Sequence, residues 1–364
     1  CIIGAGVLGI PYVVAKAGFL IGVINLVVLG TATLLLYLYL GEVVLRTEGN
    51  HQLTGYAEKY LGKAGKTIMT FSMGFVIYGA LTAYIIGEGE ALSAIFHINN
   101  QLMFSILFFI FASAVVYVGL ELIEKSELFM SLALTIVIVI ISIVALSRIE
   151  LSNLSRFNVK EMFLPYGVIL FSLAGSVAIP EMNEELVKER KELKKAIIIG
   201  AIIPVVLYLI FSISVVGVTG TETTEVATIG LGKSLGEKVL LLGNLFAVFS
   251  MATSFLVLGL ALKEMYNYDY QINEFFAWLL TIVPPLLIFL FGTRSFVRVL
   301  GITGGIAMSI NGIIVVLMFN RAKRLGQRRP EYTIPKSSLL STLLVTIFLM
   351  GIIYTIWDIV GQVI

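Results

Sequence analysis

Charge is scarce in this chain. Lys, Arg, Asp and Glu together supply 13% of its 364 residues, where a soluble globular chain carries about 25%. A water-facing surface cannot be built from so few charged groups, so an ordinary soluble domain is excluded. Cysteine is nearly absent: Cys1 is the only one, so no intramolecular disulfide can form. The two histidines, His51 and His97, lie far apart with no Cys or carboxylate at ligand spacing, and no metal site of that kind is expected. A net charge of +2 offers no basic face for a nucleic acid. No segment pairs an acid and a base at helical spacing with a nucleophile of the Gly-x-Ser-x-Gly type, which argues against a membrane enzyme. No polar stretch is long enough for a second, soluble domain. The opening Cys1-Ile2-Ile3-Gly4 has neither an initiator Met nor a charged start with a cleavage site, and reads as a start inside a first membrane helix.

What the chain does have is apolar length. Hydrophobic residues make up 58% of it, and its mean hydropathy is +0.99. A helix crossing the hydrocarbon core needs about 20 mostly apolar residues. That criterion gives eleven spans, at 1–17, 20–45, 66–91, 101–119, 126–147, 162–186, 195–218, 236–261, 274–292, 295–320 and 338–362. The expected fold is an all-α polytopic membrane bundle in a single transporter-sized domain. With the N-terminus on the cytoplasmic side, 17 of the 25 Lys and Arg residues fall in inside loops, including the dense clusters at 188–195 and 321–336. Positive residues favour the inside, so the N-terminus is expected inside and the C-terminus outside a plasma or cytoplasmic membrane. The charge run at 187–195 reads either as a solvated loop or as a surface for membrane lipid headgroups.

Two spans are interrupted in the same way. The first reads Gly4-Ala5-Gly6-Val7-Leu8-Gly9-Ile10-Pro11 and the sixth reads Leu173-Ala174-Gly175-Ser176-Val177-Ala178-Ile179-Pro180. Aligned without gaps, they share the Ala-Gly pair and the final Ile-Pro. They stand five spans apart, where two inverted five-span repeats would place equivalent helices. Unwound backbone survives in hydrocarbon only where it lines a polar cavity or is buried in protein. Beyond such a break a half-helix N-terminus offers free N–H groups to a carboxylate, and exposed carbonyls suit an ammonium group or a small cation. A zwitterionic amino acid matches both. Glycines at close helix contacts also serve packing alone, which is the competing reading of either span taken singly.

These residues resemble a known family. Gly-Ala-Gly-Val-Leu-Gly-Ile-Pro-Tyr at 4–12 is similar to the first-span signature of the amino acid/auxin permeases and the aromatic amino acid permeases. Pro180-Glu181-Met182-Asn183-Glu184-Glu185-Leu186, with Lys195-Ala196-Ile197-Ile198-Ile199-Gly200 after a charged loop, resembles the end of their sixth span and start of their seventh. Ala252-Thr253-Ser254-Phe255-Leu256, Pro284-Pro285 and Gly301-Ile302-Thr303-Gly304-Gly305 are similar to their spans eight, nine and ten.

The resemblance implies the leucine-transporter-like fold of the amino acid–polyamine–organocation superfamily: repeats at 1–148 and 162–320, with an accessory eleventh helix at 338–362. It implies a secondary active symporter of a neutral or aromatic amino acid, working by alternating access. Backbone at Gly4, Ala5 and Gly6 would hold the substrate carboxylate. Carbonyls of Phe171, Ser172 and Ala174 would receive its amino group, and Ile77 and Tyr78 on the third span would contribute to side-chain selectivity. Ser250, Thr253, Ser254 and the Ile3 carbonyl would hold a sodium ion, with no other cofactor.

Hydroxyl and carbonyl oxygens are the hard ligands such a cation takes, although Thr253 and Ser254 read equally well as interhelical hydrogen-bonding groups. Some proton-coupled relatives carry a lysine in the fifth span; Leu132 to Ile136 holds none, which favours sodium. Proton coupling stays open through Glu88, Glu181, Glu184 and Glu185 near span ends, as does an amino acid sensor without net transport. Glu88 and Glu90 are expected to cap the third span at the outer surface, with an extracellular gate as the alternative reading.

Overall fold

The computed structural model describes residues 2–119 and 122–361. Cys1 and Gln362 lie outside that description, as do the side chains of 122–131, Leu134 and Asp269; Lys125, one of the 17 basic residues expected inside, and Leu134, in the 132–136 stretch without lysine, fall there.

The described residues are helical from end to end of the chain, with no strand among them. A 3₁₀ turn, Ala5–Leu8, leads into α1 (Ile10–Ala17), followed by α2 (Phe19–Leu45), α3 (Leu53–Phe96), α4 (Gln101–Val118) and α5 (Leu122–Leu146). Then come α6 (Leu164–Ser172), α7 (Ala178–Glu185), α8 (Leu193–Thr219), α9 (Ala227–Leu235), α10 (Glu237–Glu264) and α11 (Glu274–Phe291). The chain closes with α12 (Phe296–Thr303), a π-helical turn (Gly304–Met308), α13 (Ser309–Leu325) and α14 (Ser338–Gly361). Eight described helices, some of them including their terminal turns, are long and apolar enough to cross a membrane. The remaining three expected spans are the 3₁₀ turn with α1, α5, and the interrupted pair α6–α7.

The surface is that of a protein solvated by lipid. Phe71, Phe291 and Trp357 are 76%, 84% and 70% exposed, while the interior gathers small residues where backbones touch. At the crossing of α6 with α12 and the π turn, Gly167 meets Gly301 and Gly304 backbone to backbone, with no room for a Cβ on Gly167 or Gly304. Aromatic groups and hydroxyls tie the outer helices inward: Tyr39 of α2 stacks on Phe319 of α13 with centroids 3.8 Å apart, and the Trp278 indole of α11 donates to the Ser113 carbonyl of α4 at 2.8 Å.

Two elements differ from expectation. The third helix is longer than the 66–91 span, because its first turns run on before Gly62, whose φ of 75° breaks the helical path. The helix α9 falls where a loop was expected; it is nine residues long, too short to register as a span, yet Ala227 to Gly232 are buried against α8 and α10.

One end of the bundle is bound by a buried ion cluster. Glu42 of α2 is fully buried and accepts from Arg46 Nε at 2.7 Å, from Lys323 of α13 and from the Ile334 amide at 2.6 Å. The segment between α13 and α14 thereby lies as a strap across α2, with the Tyr332 hydroxyl donating to the Leu38 carbonyl at 2.8 Å. Burial, then the nearby Glu42 carboxylate, push the Tyr332 phenol pKa up, so it remains a neutral donor.

Candidate functional site

The two interruptions have one local cause. Pro11 and Pro180 each lack the N–H that would bond the carbonyl four residues back, Val7 and Ser176, and each ring crowds that carbonyl. In the first span, Gly4 is extended at φ −153° and ψ −159°, and the helix begins as a 3₁₀ turn at Ala5. The first-turn N–H groups of Ala5 and Gly6 have no upstream helical carbonyl to reach. In the sixth span, α6 ends at Ser172, Leu173 to Val177 leave the helix, and α7 resumes at Ala178.

The breaks lie against each other. A Cβ on Gly6 would stand 2.6 Å from Ser172 Oγ and 2.9 Å from Ser172 Cα, so only glycine permits this approach. Gly175 packs in the same way on the Ile2 side chain and the Tyr37 hydroxyl. Three tyrosines from three other helices close on this point. The fully buried Tyr208 of α8 directs its hydroxyl to two carbonyls, Ile2 at 3.0 Å and Ser172 at 2.9 Å. Tyr37 of α2 donates to the Leu173 carbonyl. The Tyr84 phenol of α3 lies near Ser254 of α10 and near Tyr208. Ser254 Oγ is also the nearest atom to a Cβ placed on Gly4, at 3.6 Å. None of these groups carries a formal charge; they are hydroxyls and carbonyls gathered on unwound backbone.

The residues expected from sequence fall into place unevenly. Gly4, Gly6, Ser172 and Ser254 stand together, and Ile3 and Ala5 adjoin them in the chain. The Phe171 carbonyl accepts the Ala174 amide at 3.0 Å across the break. Ser250 Oγ is buried without a hydrogen-bond partner, one turn from Ser254 on α10. Thr253 donates to the Phe249 carbonyl at 2.7 Å on its own helix, which leaves its oxygen lone pairs available. Ile77 is part-buried against the core. Tyr78 turns elsewhere: its hydroxyl meets Tyr266 at 2.6 Å and the Leu280 carbonyl at 2.8 Å, at the junction of α3, α11 and the turn that follows α10. On α3 the phenol that reaches the break is that of Tyr84. Nothing in the sequence marks out Tyr37, Tyr84 or Tyr208, since a tyrosine in an apolar span gives no sign of where its hydroxyl points.

Farther along α6, toward the end of the bundle opposite the Glu42 cluster, a cavity of about 330 Å³ is lined by Tyr12, Lys16, Gly167, Glu225, Arg298 and Asp358 among others. Its wall is fixed by Glu225, which accepts from Ser295 Oγ and the Val297 amide at the start of α12. Glu88, expected at a surface, is instead fully buried with both carboxyl oxygens unpartnered by side chains, against the Ala252 backbone of α10. Its position midway along the α3–α10 contact, rather than at a helix end, accounts for the difference.

Residues 1–358 match the tryptophan/tyrosine permease family. Glutamine transporter 2 of Aliivibrio fischeri is 28% identical over 331 residues, covering 87% of this chain and 85% of that protein. Tyrosine-specific transport system 1 of Haemophilus influenzae is 27% identical over 351 residues, covering 90% and 87%. The tryptophan-specific transport protein of Shigella flexneri is 24% identical over 370 residues, covering 92% and 86%. These relatives are transport proteins, not enzymes. The crystal structure of MhsT in complex with L-phenylalanine superposes with a TM-score of 0.67 at 16% identity, over 98% of this chain and 95% of that one, and so shares its fold.

Proposed function

The chain belongs to the tryptophan/tyrosine permease family, and from that premise we propose that it is a secondary active symporter of a neutral or aromatic L-amino acid, coupled to sodium. Family membership makes it a multi-pass membrane protein of amino acid transport; substrate, ion and orientation are our reading. The observation that carries it is the meeting of two broken helices at Gly6 and Ser172, where unwound backbone is buried among uncharged oxygens. The free N–H groups of Ala5 and Gly6 suit a carboxylate at a half-helix N-terminus. The carbonyls around Ser172 suit an ammonium group, and a zwitterion needs no charged side chain to balance it. Tyrosine, tryptophan and glutamine transport by the relatives supports a neutral or aromatic substrate.

Sodium would be held by Ser254, Thr253, Ser250 and the Ile3 carbonyl; the unpartnered Ser250 Oγ fits an oxygen that awaits a cation. The N-terminus would lie inside and the C-terminus outside. Repeats at 1–148 and 162–320 would let a unit containing both broken helices rock around the site, with 338–361 as an accessory helix. One observation favours a second reading, proton coupling: the buried, unpaired Glu88 sits beside the same stretch of α10.

The test is uptake of labelled tyrosine, tryptophan and glutamine into proteoliposomes under an inward sodium gradient, an inward proton gradient, or neither. Sodium-driven uptake supports the reading. Proton-driven uptake replaces the ion and turns attention to Glu88. Binding without uptake under any gradient refutes transport and leaves a sensor.

A further inference from the structure

The Tyr208 hydroxyl has one proton and two acceptors. It lies 3.0 Å from the Ile2 carbonyl on the first broken span and 2.9 Å from the Ser172 carbonyl on the sixth, inside a fully buried side chain. A phenol can donate fully to only one of them at a time. The second acceptor is thus a standing alternative, already within hydrogen-bond distance.

Neither carbonyl takes a backbone amide, but the contact to Ser172 is buried while that to Ile2 is only part-buried, where water can serve the carbonyl, so the Ser172 carbonyl is the one in need of a protein donor. It closes α6, and in an unbroken helix it would take the amide of Ser176; the break removes that partner. It also stands at a helix C-terminus, where the backbone dipole attracts positive charge. The adjoining Leu173 carbonyl is covered by Tyr37.

We propose that Tyr208 is a displaceable surrogate for the substrate's ammonium group: it covers the Ser172 carbonyl in the empty carrier and passes to the Ile2 carbonyl when the ammonium arrives. This rests on the reading that the sixth-span carbonyls receive the amino group. The exchange leaves neither partner bare. The ammonium brings three donors, so it can serve Ser172 and a further carbonyl such as that of Ala174, while the phenol keeps its bond to Ile2. Tyr208 is therefore a positioning residue that lowers affinity for the ammonium group by competing with it, and binds the two broken spans together when the site is empty.

The sign of the effect separates this role from a structural one. Removing the hydroxyl leaves the Ser172 carbonyl bare in the empty carrier, a penalty that a bound ammonium relieves. Tyr208→Phe should accordingly bind an amino acid more tightly, by about 5- to 150-fold. A residue that only supports the site would weaken binding when truncated.

The experiment uses the full chain in nanodiscs and equilibrium binding of three probes, L-tryptophan, L-tyrosine and L-phenylalanine. Each is paired with its deaminated analogue: indole-3-propionate, 4-hydroxyphenylpropionate and 3-phenylpropionate. Tyr208→Phe is expected to lower the Kd of the amino acid at least fivefold and to leave that of its analogue unchanged. Weaker amino acid binding, or an equal gain for both members of a pair, overturns the proposal. Should Tyr208→Phe fail to fold, 3,5-difluorotyrosine introduced at position 208 keeps the shape and strengthens the donor. It should weaken amino acid binding alone, and an unchanged Kd there overturns the proposal as well. Failure of the wild type to bind any of the three amino acids sinks the aromatic-substrate reading on which the proposal is tested, an outcome distinct from a wild type that binds and a variant that moves the wrong way.

Discussion

Replacing Gly6 with alanine adds one methyl group where the first broken helix meets the sixth, and the structure sets its cost. The new Cβ would lie 2.6 Å from Ser172 Oγ, 2.9 Å from Ser172 Cα and 3.0 Å from Ser172 Cβ. Non-bonded carbons rest about 3.5–4.0 Å apart, so the breaks must separate by about 0.5–1 Å. The serine cannot simply swing aside, because its Cα is backbone and its hydroxyl is held by the Val168 carbonyl at 2.7 Å. A separation of that size would also stretch the Tyr208 hydroxyl's contacts to Ile2 and Ser172, now at 3.0 and 2.9 Å.

Overpacking of this kind costs about 1–3 kcal/mol, or about 5- to 150-fold in any equilibrium that requires the breaks to close. The paired control is Gly4→Ala, two residues away. Its Cβ would meet only Ser254 Oγ, at an ordinary 3.6 Å, and its φ of −153° is open to any residue. Binding to purified protein, with the folded fraction followed by gel filtration, should show Gly6→Ala folded but at least about fivefold weaker for its amino acid. Gly4→Ala should stay within about twofold. Wild-type binding by Gly6→Ala, or greater damage from Gly4→Ala, would refute the claim that the breaks are pressed together at that point.

Three further outcomes follow from the same geometry. Removing the Ser254 hydroxyl, which faces both Gly4 and Tyr84, should raise the sodium concentration at half-maximal uptake about tenfold, the effect of losing about 1.4 kcal/mol; an unchanged sodium dependence removes Ser254 from the ion site. Glu42→Gln strips the charge that Arg46 and Lys323 share in a buried cluster and should destabilise by about 3 kcal/mol, read as a lowered unfolding midpoint that Lys323→Gln partly restores; equal stability would show that the cluster contributes nothing. Gly351 of α14 lies against the Tyr166 ring with no space for a Cβ, so Gly351→Ala should cost about 1–3 kcal/mol and make α14 more susceptible to proteolysis, whereas Gly361→Ala, which meets nothing within 4 Å, should not.

The fold was largely legible because its solvent is simple. A helix crossing hydrocarbon must be long, apolar and internally hydrogen-bonded, so length and hydropathy alone located every span that became a helix. The breaks were legible for a related reason: Pro11 and Pro180 remove specific donors, and their effect is local to the backbone that carries them. The helix α9 was not legible, since at nine residues it is held by burial against α8 and α10 rather than by its own apolar length. Glu88 misled for the same reason. Near the end of an apolar run it resembles a surface cap, and only the packing of α3 on α10 shows it to be enclosed.

The site was half legible, and the division follows a physical line. Groups contributed by unwound backbone, at Gly4, Gly6 and Ser172, announce themselves, because the sequence that unwinds the helix is also the sequence at the site. Groups that come from intact helices do not. Tyr37, Tyr78, Tyr84 and Tyr208 are four tyrosines in apolar spans, indistinguishable by pattern. Three of them lie at or near the breaks, and Tyr78 instead binds α3 to α11 and to the turn after α10. What separates them is the rotation of each helix about its axis, which is set by contacts with neighbouring helices, such as Gly79 of α3 against Thr303 and Gly87 against Met251 and Phe296. Because six residues carry a helix through one and two-thirds turns, Tyr78 and Tyr84 face directions about 120° apart whatever the rotation. Fixing one of them away from the breaks therefore permits the other to face them, so the contacts that set the rotation of α3 also set which phenol the site receives.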